Sequence, residues 1–204
     1  MNPMPVIGSR RRSDMCRGAG FTSSGSAKRG HNPSPEITIR PFEERDACEV
    51  RELFIAVNRL LSPTNLREAF EVYIEQALAE EIDRIAAYYS ERNSGFWVAT
   101  QNESVVGMFG LERASPDAME LRRMYVDPAT RRAGIGRRML CFAEEECRQR
   151  GVARVVLSTA EIQEAALALY RKVGYRLVRE EIAEAASSKT VGSGLRRFHF
   201  EKRL

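Results

Sequence analysis

The segment Arg131-Arg132-Ala133-Gly134-Ile135-Gly136 stands between a strand-like run, Met119 to Val126, and a helical run, Arg137 to Arg150, that stops at Gly151. A strand feeding a glycine-punctuated loop at a helix start is a layout for holding a phosphate. The first backbone N–H groups of the helix have no partner within it, and the helix dipole favours negative charge there. Each glycine costs about 1 kcal/mol of helix propensity relative to alanine, so a pair at a helix entrance points to a backbone that something approaches closely. A side chain at position 136 is therefore expected to obstruct the bound anion and leave the protein folded. An ordinary loop that contains glycines is the competing reading. The P-loop pattern G-x-x-x-x-G-K-[ST] does not occur in the chain. The dinucleotide pattern G-x-G-x-x-G would need glycine at Met139 and its first glycine against the strand end, where Asp127 to Ala133 intervene; Glu161, an acid after the next strand, keeps that reading open.

Placed between a strand and a helix, the pattern [QR]-x-x-G-x-[GA] resembles the pyrophosphate-binding segment of the GNAT superfamily of acyl-CoA-dependent N-acyltransferases. A second element, Ala165 to Tyr175 (A-A-L-A-L-Y-R-K-V-G-Y), is similar to the family signature A-x-x-L-Y-x-x-x-G-[FY]. The likeness spans Ile37 to Leu204. It implies a GNAT-like α/β fold: a central mixed, mostly antiparallel sheet of six to seven strands with helices on both faces. It also implies acetyl-CoA as co-substrate, with its pyrophosphate on Arg131, Arg132, Ala133, Gly134, Ile135, Gly136 and Arg137. The backbone of Met124, Tyr125 and Val126 would then pair with the pantetheine arm.

Acetyl transfer to an amine needs a deprotonated amine and a stabilised CoA thiolate. The resemblance makes Tyr170 the group near the thioester sulfur. A phenol near pKa 10 facing a thiol near 8.5 is uphill by about 2 kcal/mol for full proton transfer, which favours hydrogen-bond donation. A packed aromatic is the alternative. Glu120, eleven residues before Arg131, matches the family's base. An ordinary carboxylate pKa near 4.3 suits an ammonium poorly, so burial or a relaying water is required. Pairing of Glu120 with Arg122 or Arg154 is the alternative. Gln163 stands where the family often has Asn, so it either contacts CoA or is a solvated helix-start residue. Arg122 shares strand parity with Glu120 and would either grip an acceptor carboxylate or pair within the protein. A small amine or amino acid is the expected acceptor, and a peptide N-terminus or lysine the second. A CoA-binding regulatory module without turnover is the other class, disfavoured by the presence of both Glu120 and Tyr170.

The 204 residues, 43% of them hydrophobic, suit one buried core, and the longest apolar run is far shorter than the roughly 20 residues a membrane span needs. Residues 1–35 hold six Lys/Arg and one Asp, so the net charge of +4 leaves the remainder at −1. That balance gives no electrostatic case for nucleic-acid binding by the folded part. The Ser/Gly/Pro/Arg-rich composition of 1–35 predicts a disordered tail ahead of a domain at 36–204. Four cysteines without C-x-x-C spacing and two histidines suggest no metal cluster and a reduced, cytoplasmic protein. A monomer or homodimer is expected.

The positioning elements follow from periodicity. Ile37 to Pro41 alternates as a strand, and Asp46 to Leu61 carries a helical stripe that Ser62-Pro63 ends. A single helix is expected from Asn65 to about Ser90, with Phe70, Ile74, Leu78, Ile82 and Ile85 inward. Gly95 to Thr100 and Val105 to Glu112 form a hairpin. Val152 to Thr159 reads as a strand buried on both faces, Ile162 to Val173 as a helix, and Tyr175 to Arg179 and Leu195 to Lys202 as strands. Ala183 to Gly194 is a Ser/Gly-rich loop that suggests mobility. In the Met119 strand, Met119 and Leu121 have one parity while Met124 and Val126 have the other. A bulge near Arg122-Arg123 would restore one buried face; a strand buried on both sides is the competing reading.

Overall fold

The alternation in Ile37–Pro41 does form a strand, β1, in the computed structural model, which describes residues 36–130 and 133–204. The expected tail at 1–35 lies outside the described residues, as do Arg131 and Arg132. Helix α1, Ala47–Leu61, buries Val50, Leu53, Phe54 and Val57. Its entry is fixed by Asp46, which accepts two 2.7 Å hydrogen bonds from Arg40 and one from the Glu43 amide. Burial and the Glu43 amide act beside the Arg40 bonds, and the net effect holds the Asp46 carboxyl below its ordinary range.

The expected long helix is two helices, α2 (Arg67–Glu80) and α3 (Ile85–Glu91), joined by a single 3-10 turn at Ile82–Arg84. The stripe Phe70, Ile74, Leu78, Ile82, Ile85 is buried throughout, so periodicity gives no sign of the break. The break lies at Glu81, with φ −135° and only 1% exposure. Its carboxylate bonds Arg122, Arg123 and Tyr89 at 2.6 to 3.1 Å. A continuous helix gives up its geometry here to place a buried anion between two guanidiniums.

Strands β2 (Gly95–Gln101) and β3 (Ser104–Ser115) meet through Asn102 and Glu103, both at positive φ as a tight two-residue hairpin requires. After β4 (Ala118–Val126) come α4 (Ile135–Gln149), β5 (Arg154–Ala160), α5 (Glu164–Lys172), β6 (Arg176–Ala183) and β7 (Leu195–Arg203). The seven strands lie in the order β1-β2-β3-β4-β5-β7-β6, and only β4–β5 is parallel. The sheet separates two apolar cores. One joins Met119, Leu121, Leu157 and Phe200 to Met139 and Leu167 of α4 and α5. The other joins Phe96, Val98 and Met108 to α1, α2 and α3.

The parity switch in β4 is a bulge. Gly110 faces Arg122 and Met108 faces Tyr125, so Phe109 alone opposes Arg123 and Met124. Arg123 takes φ +52°. Met119, Leu121, Met124 and Val126 consequently all pack into the α4/α5 core, while Arg122 and Arg123 both reach Glu81 on the other face. Strand β5 departs from expectation: its burial alternates instead of being continuous. Val155, Leu157 and Thr159 are buried, while Val156, Ser158 and Ala160 on the opposite face are only half-buried.

Candidate active site

Strands β4 and β5 pair from Ala118↔Arg154 to Leu121↔Leu157 and no further. Beyond that point β4 stays with β3, through Gly107↔Val126, and β5 stays with β7, through Ala160↔Arg197. The edge of Met124-Tyr125-Val126 that faces β5 is therefore left outside the ladder. Backbone amides and carbonyls on such an edge need partners. A bound chain bearing amides would supply them. A cavity opens at the split, and Glu120, Tyr125, Ser158, Gln163, Tyr170 and Lys189 are among its walls.

One end of the split is the start of α4. Gly134 caps the helix in the left-handed region at φ +74°, and the first intrahelical bond runs from the Arg138 amide to the Gly134 carbonyl. The amides of Ile135, Gly136 and Arg137 thus precede any intrahelical acceptor. A Cβ at Gly134 would meet nothing within 4 Å. Gly136 differs from expectation: a Cβ there points inward, 3.2 Å from Leu169 Cδ2 and 3.5 Å from Met124 Cε. Its smallness lets α4 approach α5 and β4, so a side chain at 136 strains packing as well as any ligand. Ala133 and Arg137 are exposed beside this turn.

Tyr170 lies on the inner face of α5, packed on the rings of Tyr175 and Phe200 at 5.8 and 6.0 Å. Its hydroxyl already faces a sulfur, Met124 Sδ at 3.9 Å. Burial pushes its pKa up, so the phenol keeps its proton through the neutral range. Such a group is a hydrogen-bond donor before it is an acid.

Glu120 is half-buried and, among the described residues, the one carboxylate lining the cavity. It pairs with neither Arg122 nor Arg154. Its partner is Lys189, whose Nζ lies 3.4 Å from Glu120 Oε2. Arg154 is taken by Asp117 and Glu201. Arg122 is committed inside the protein, to Glu81, Glu112 and the Tyr88 hydroxyl. It is not free to grip a substrate carboxylate. Gln163 closes the β5–α5 turn, its Oε1 accepting from Thr159 Oγ1 at 2.6 Å and the Ala160 amide at 3.2 Å.

Several residues of the site escaped sequence reasoning. Glu81 sits in a charged helix where nothing marks it as buried. Arg123 also donates to the Ser188 carbonyl at 2.6 Å, tying the β6–β7 loop across the cavity. That loop was legible only as Ser/Gly-rich, yet it is built: Gly192 has φ +71°, and a Cβ there would lie 2.6 Å from Ala185 and Ala186 backbone. Asn58 donates to the Phe54 carbonyl and accepts from Tyr125 at the cavity wall. Among the described residues no group of His, Cys, Asp or Glu is placed to hold a metal ion, and no helix is long and apolar enough to cross a membrane.

Residues 60–175 match the model of the acetyltransferase (GNAT) family. N-acetyltransferase 8 of Homo sapiens is 36% identical over 110 residues, 51% of this chain and 48% of that protein. N-acetylaspartate synthetase of Danio rerio is 37% identical over 120 residues, 56% of this chain and 41% of that protein. The chain thus spans about half the length of the curated relatives it matches. The fold is shared with the PaiA N-acetyltransferase of Thermoplasma acidophilum, solved in complex with coenzyme A, at a TM-score of 0.66 and 19% identity, covering 83% of this chain and 99% of that one. With this match to more than half its length, the chain belongs to the GNAT family of acetyltransferases.

Proposed function

We propose that the protein moves an acetyl group from acetyl-CoA directly to the amine of a small molecule or amino acid. The observation that carries this reading is the parting of β4 from β5 after Leu121 and Leu157, with Glu120 and Tyr170 lining the cavity that results. The cradle fits the co-substrate: free amides at the α4 start meet the pyrophosphate, and the unladdered Met124–Val126 edge meets the pantetheine amides. Arg131 and Arg132 complete the pyrophosphate loop on this reading. Gln163 acts by shaping the β5–α5 turn along the CoA path.

In the reaction the acceptor nitrogen attacks the thioester carbonyl, the C–S bond breaks, and CoA leaves as thiolate. Glu120 takes the amine proton, directly or through water, after Lys189 swings away. Tyr170 donates its hydrogen bond to the departing sulfur, a better acceptor than the Met124 thioether it now faces. A small acceptor suits a cavity that the β6–β7 loop crosses, and a relative named N-acetylaspartate synthetase is consistent with an amino-acid acceptor. The test is release of CoA thiol from acetyl-CoA against a panel of amines, amino acids and peptides, with the acetylated product identified by mass. One small acceptor should stand out. Acetyl-CoA binding with no acceptor-dependent thiol release would overturn the reading in favour of a non-catalytic module.

A further inference from the structure

The charges around the cavity are nearly closed among themselves. Arg122, Arg123 and Lys189, which line the cavity, face Glu81, Glu112 and Glu120 within ion-pair distance, and Glu112 also meets Arg92. A fourth cation lines the same cavity: Arg197 of β7. Among the described residues it has no carboxylate within ion-pair distance. Its Nη2 donates instead to the neutral Ser158 Oγ, while Glu181, its register partner, feels its charge but is bonded to His199 and Arg179. A half-buried guanidinium spending a donor on a hydroxyl retains most of its fork for an anion.

Its position relative to Glu120 is set by register. Glu120 lies opposite Val156, and Ser158 is two residues further along β5 on the same face. Two residues of strand and one strand spacing separate the Glu120 and Ser158 backbone positions by roughly 8 Å. The guanidinium held at Ser158 and the Glu120 carboxylate therefore line the same cavity, within the span of a small molecule.

We propose that Arg197 is the anchor for a carboxylate on the acceptor, and that the acceptor class is the free amino acid. This rests on the acetyl-transfer reading and narrows it. Simple amines lack the anion, a protein lysine has none within reach, and a peptide N-terminus presents a neutral carbonyl there. Arg122, the residue whose parity first suggested this task, is locked to Glu81 and Glu112 and cannot perform it.

The experiment uses the full chain and the twenty standard L-amino acids, each with its carboxamide and decarboxylated amine. For the best amino acid, wild-type kcat/KM should exceed that of its carboxamide by at least about tenfold. Arg197→Gln should raise KM for the amino acid about tenfold or more, keep kcat, and leave the carboxamide unchanged; Arg197→Lys should fall between. Equal treatment of acid, amide and amine by the wild type overturns the proposal, as does an equal loss on all three in Arg197→Gln. Calorimetric binding of the amino acids in the presence of CoA separates this from the reading it rests on. Arg197-dependent binding without any turnover would uphold the anchor and sink the acetyl-transfer assignment. Turnover of amines alone would do the reverse, and so would absence of any amino-acid binding alongside turnover.

Discussion

At the scale of single residues, the two glycines of the α4 entrance do different work. Gly136 is small because Leu169 and Met124 press on it, whereas Gly134 is needed for its φ of +74°. Alanine at 134 meets open space, so its cost is that of a left-handed residue, about 1 to 2 kcal/mol. Gly134→Ala should therefore weaken acetyl-CoA binding while lowering stability only modestly, read by a thermal-shift titration against acetyl-CoA. An unchanged titration would show that the loop does not meet the ligand. Gly136→Asp is the harsher change, and it should lower the melting temperature even without ligand. Sequence reasoning singled out both glycines and both candidate catalytic groups, because their types and spacings are local. It missed the Lys189 pairing of Glu120, which joins residues 69 positions apart.

At the scale of elements, the β4 bulge and the α2–α3 break are two halves of one device. The bulge turns Arg122 and Arg123 to the same face, and the break delivers Glu81 between them. Burial raises the Glu81 carboxyl, but the Arg123 and Arg122 charges, with hydrogen bonds from Arg123 and Tyr89, more than reverse it, so its folded pKa lies below the ordinary value. The sign follows: this carboxylate contributes stability that is present above its unfolded pKa of about 4.3 and lost as pH falls through the lower folded value. Glu81→Gln leaves two guanidiniums short of an anion, and removing one partner of a buried pair costs about 3 to 5 kcal/mol. Urea unfolding at pH 7 should show that loss, and the gap between variant and wild type should narrow below about pH 4. A constant gap across that range would mean that Glu81 is not the titrating group. The bulge was legible because parity counts residues along one strand. The break was not, because the apolar stripe runs through it unchanged, and only the tertiary partners on β4 give Glu81 a reason to leave the helix.

At the scale of the whole molecule, the sheet holds one core on each face and opens where β4 and β5 part. One mouth of the split meets the α4 entrance and the other the β6–β7 loop, and the proposed reaction would bring co-substrate to the first and acceptor to the second. Apart from the α2–α3 break, strand and helix order was readable from alternation and helical stripes. The alternating burial of β5 was not, since a largely apolar run does not say which of its faces is covered. The described domain contains both cores, so a chain beginning at Glu36 should keep the melting temperature and turnover of the full chain. A clear drop in either would assign residues 1–35 a part in the fold or the site.

The most direct test of acetyl transfer at this split is the pair Tyr170→Phe and Glu120→Gln, measured on the best acceptor. Tyr170→Phe removes one hydroxyl, so acetyl-CoA affinity should hold while kcat falls on the order of 10²-fold or more. Glu120→Gln should lower kcat/KM and remove the acidic limb of the pH–rate profile, with a second acceptor of different pKa run alongside to subtract the amine's own ionisation. Near wild-type kcat in both variants would contradict the account and leave the reaction to positioning alone.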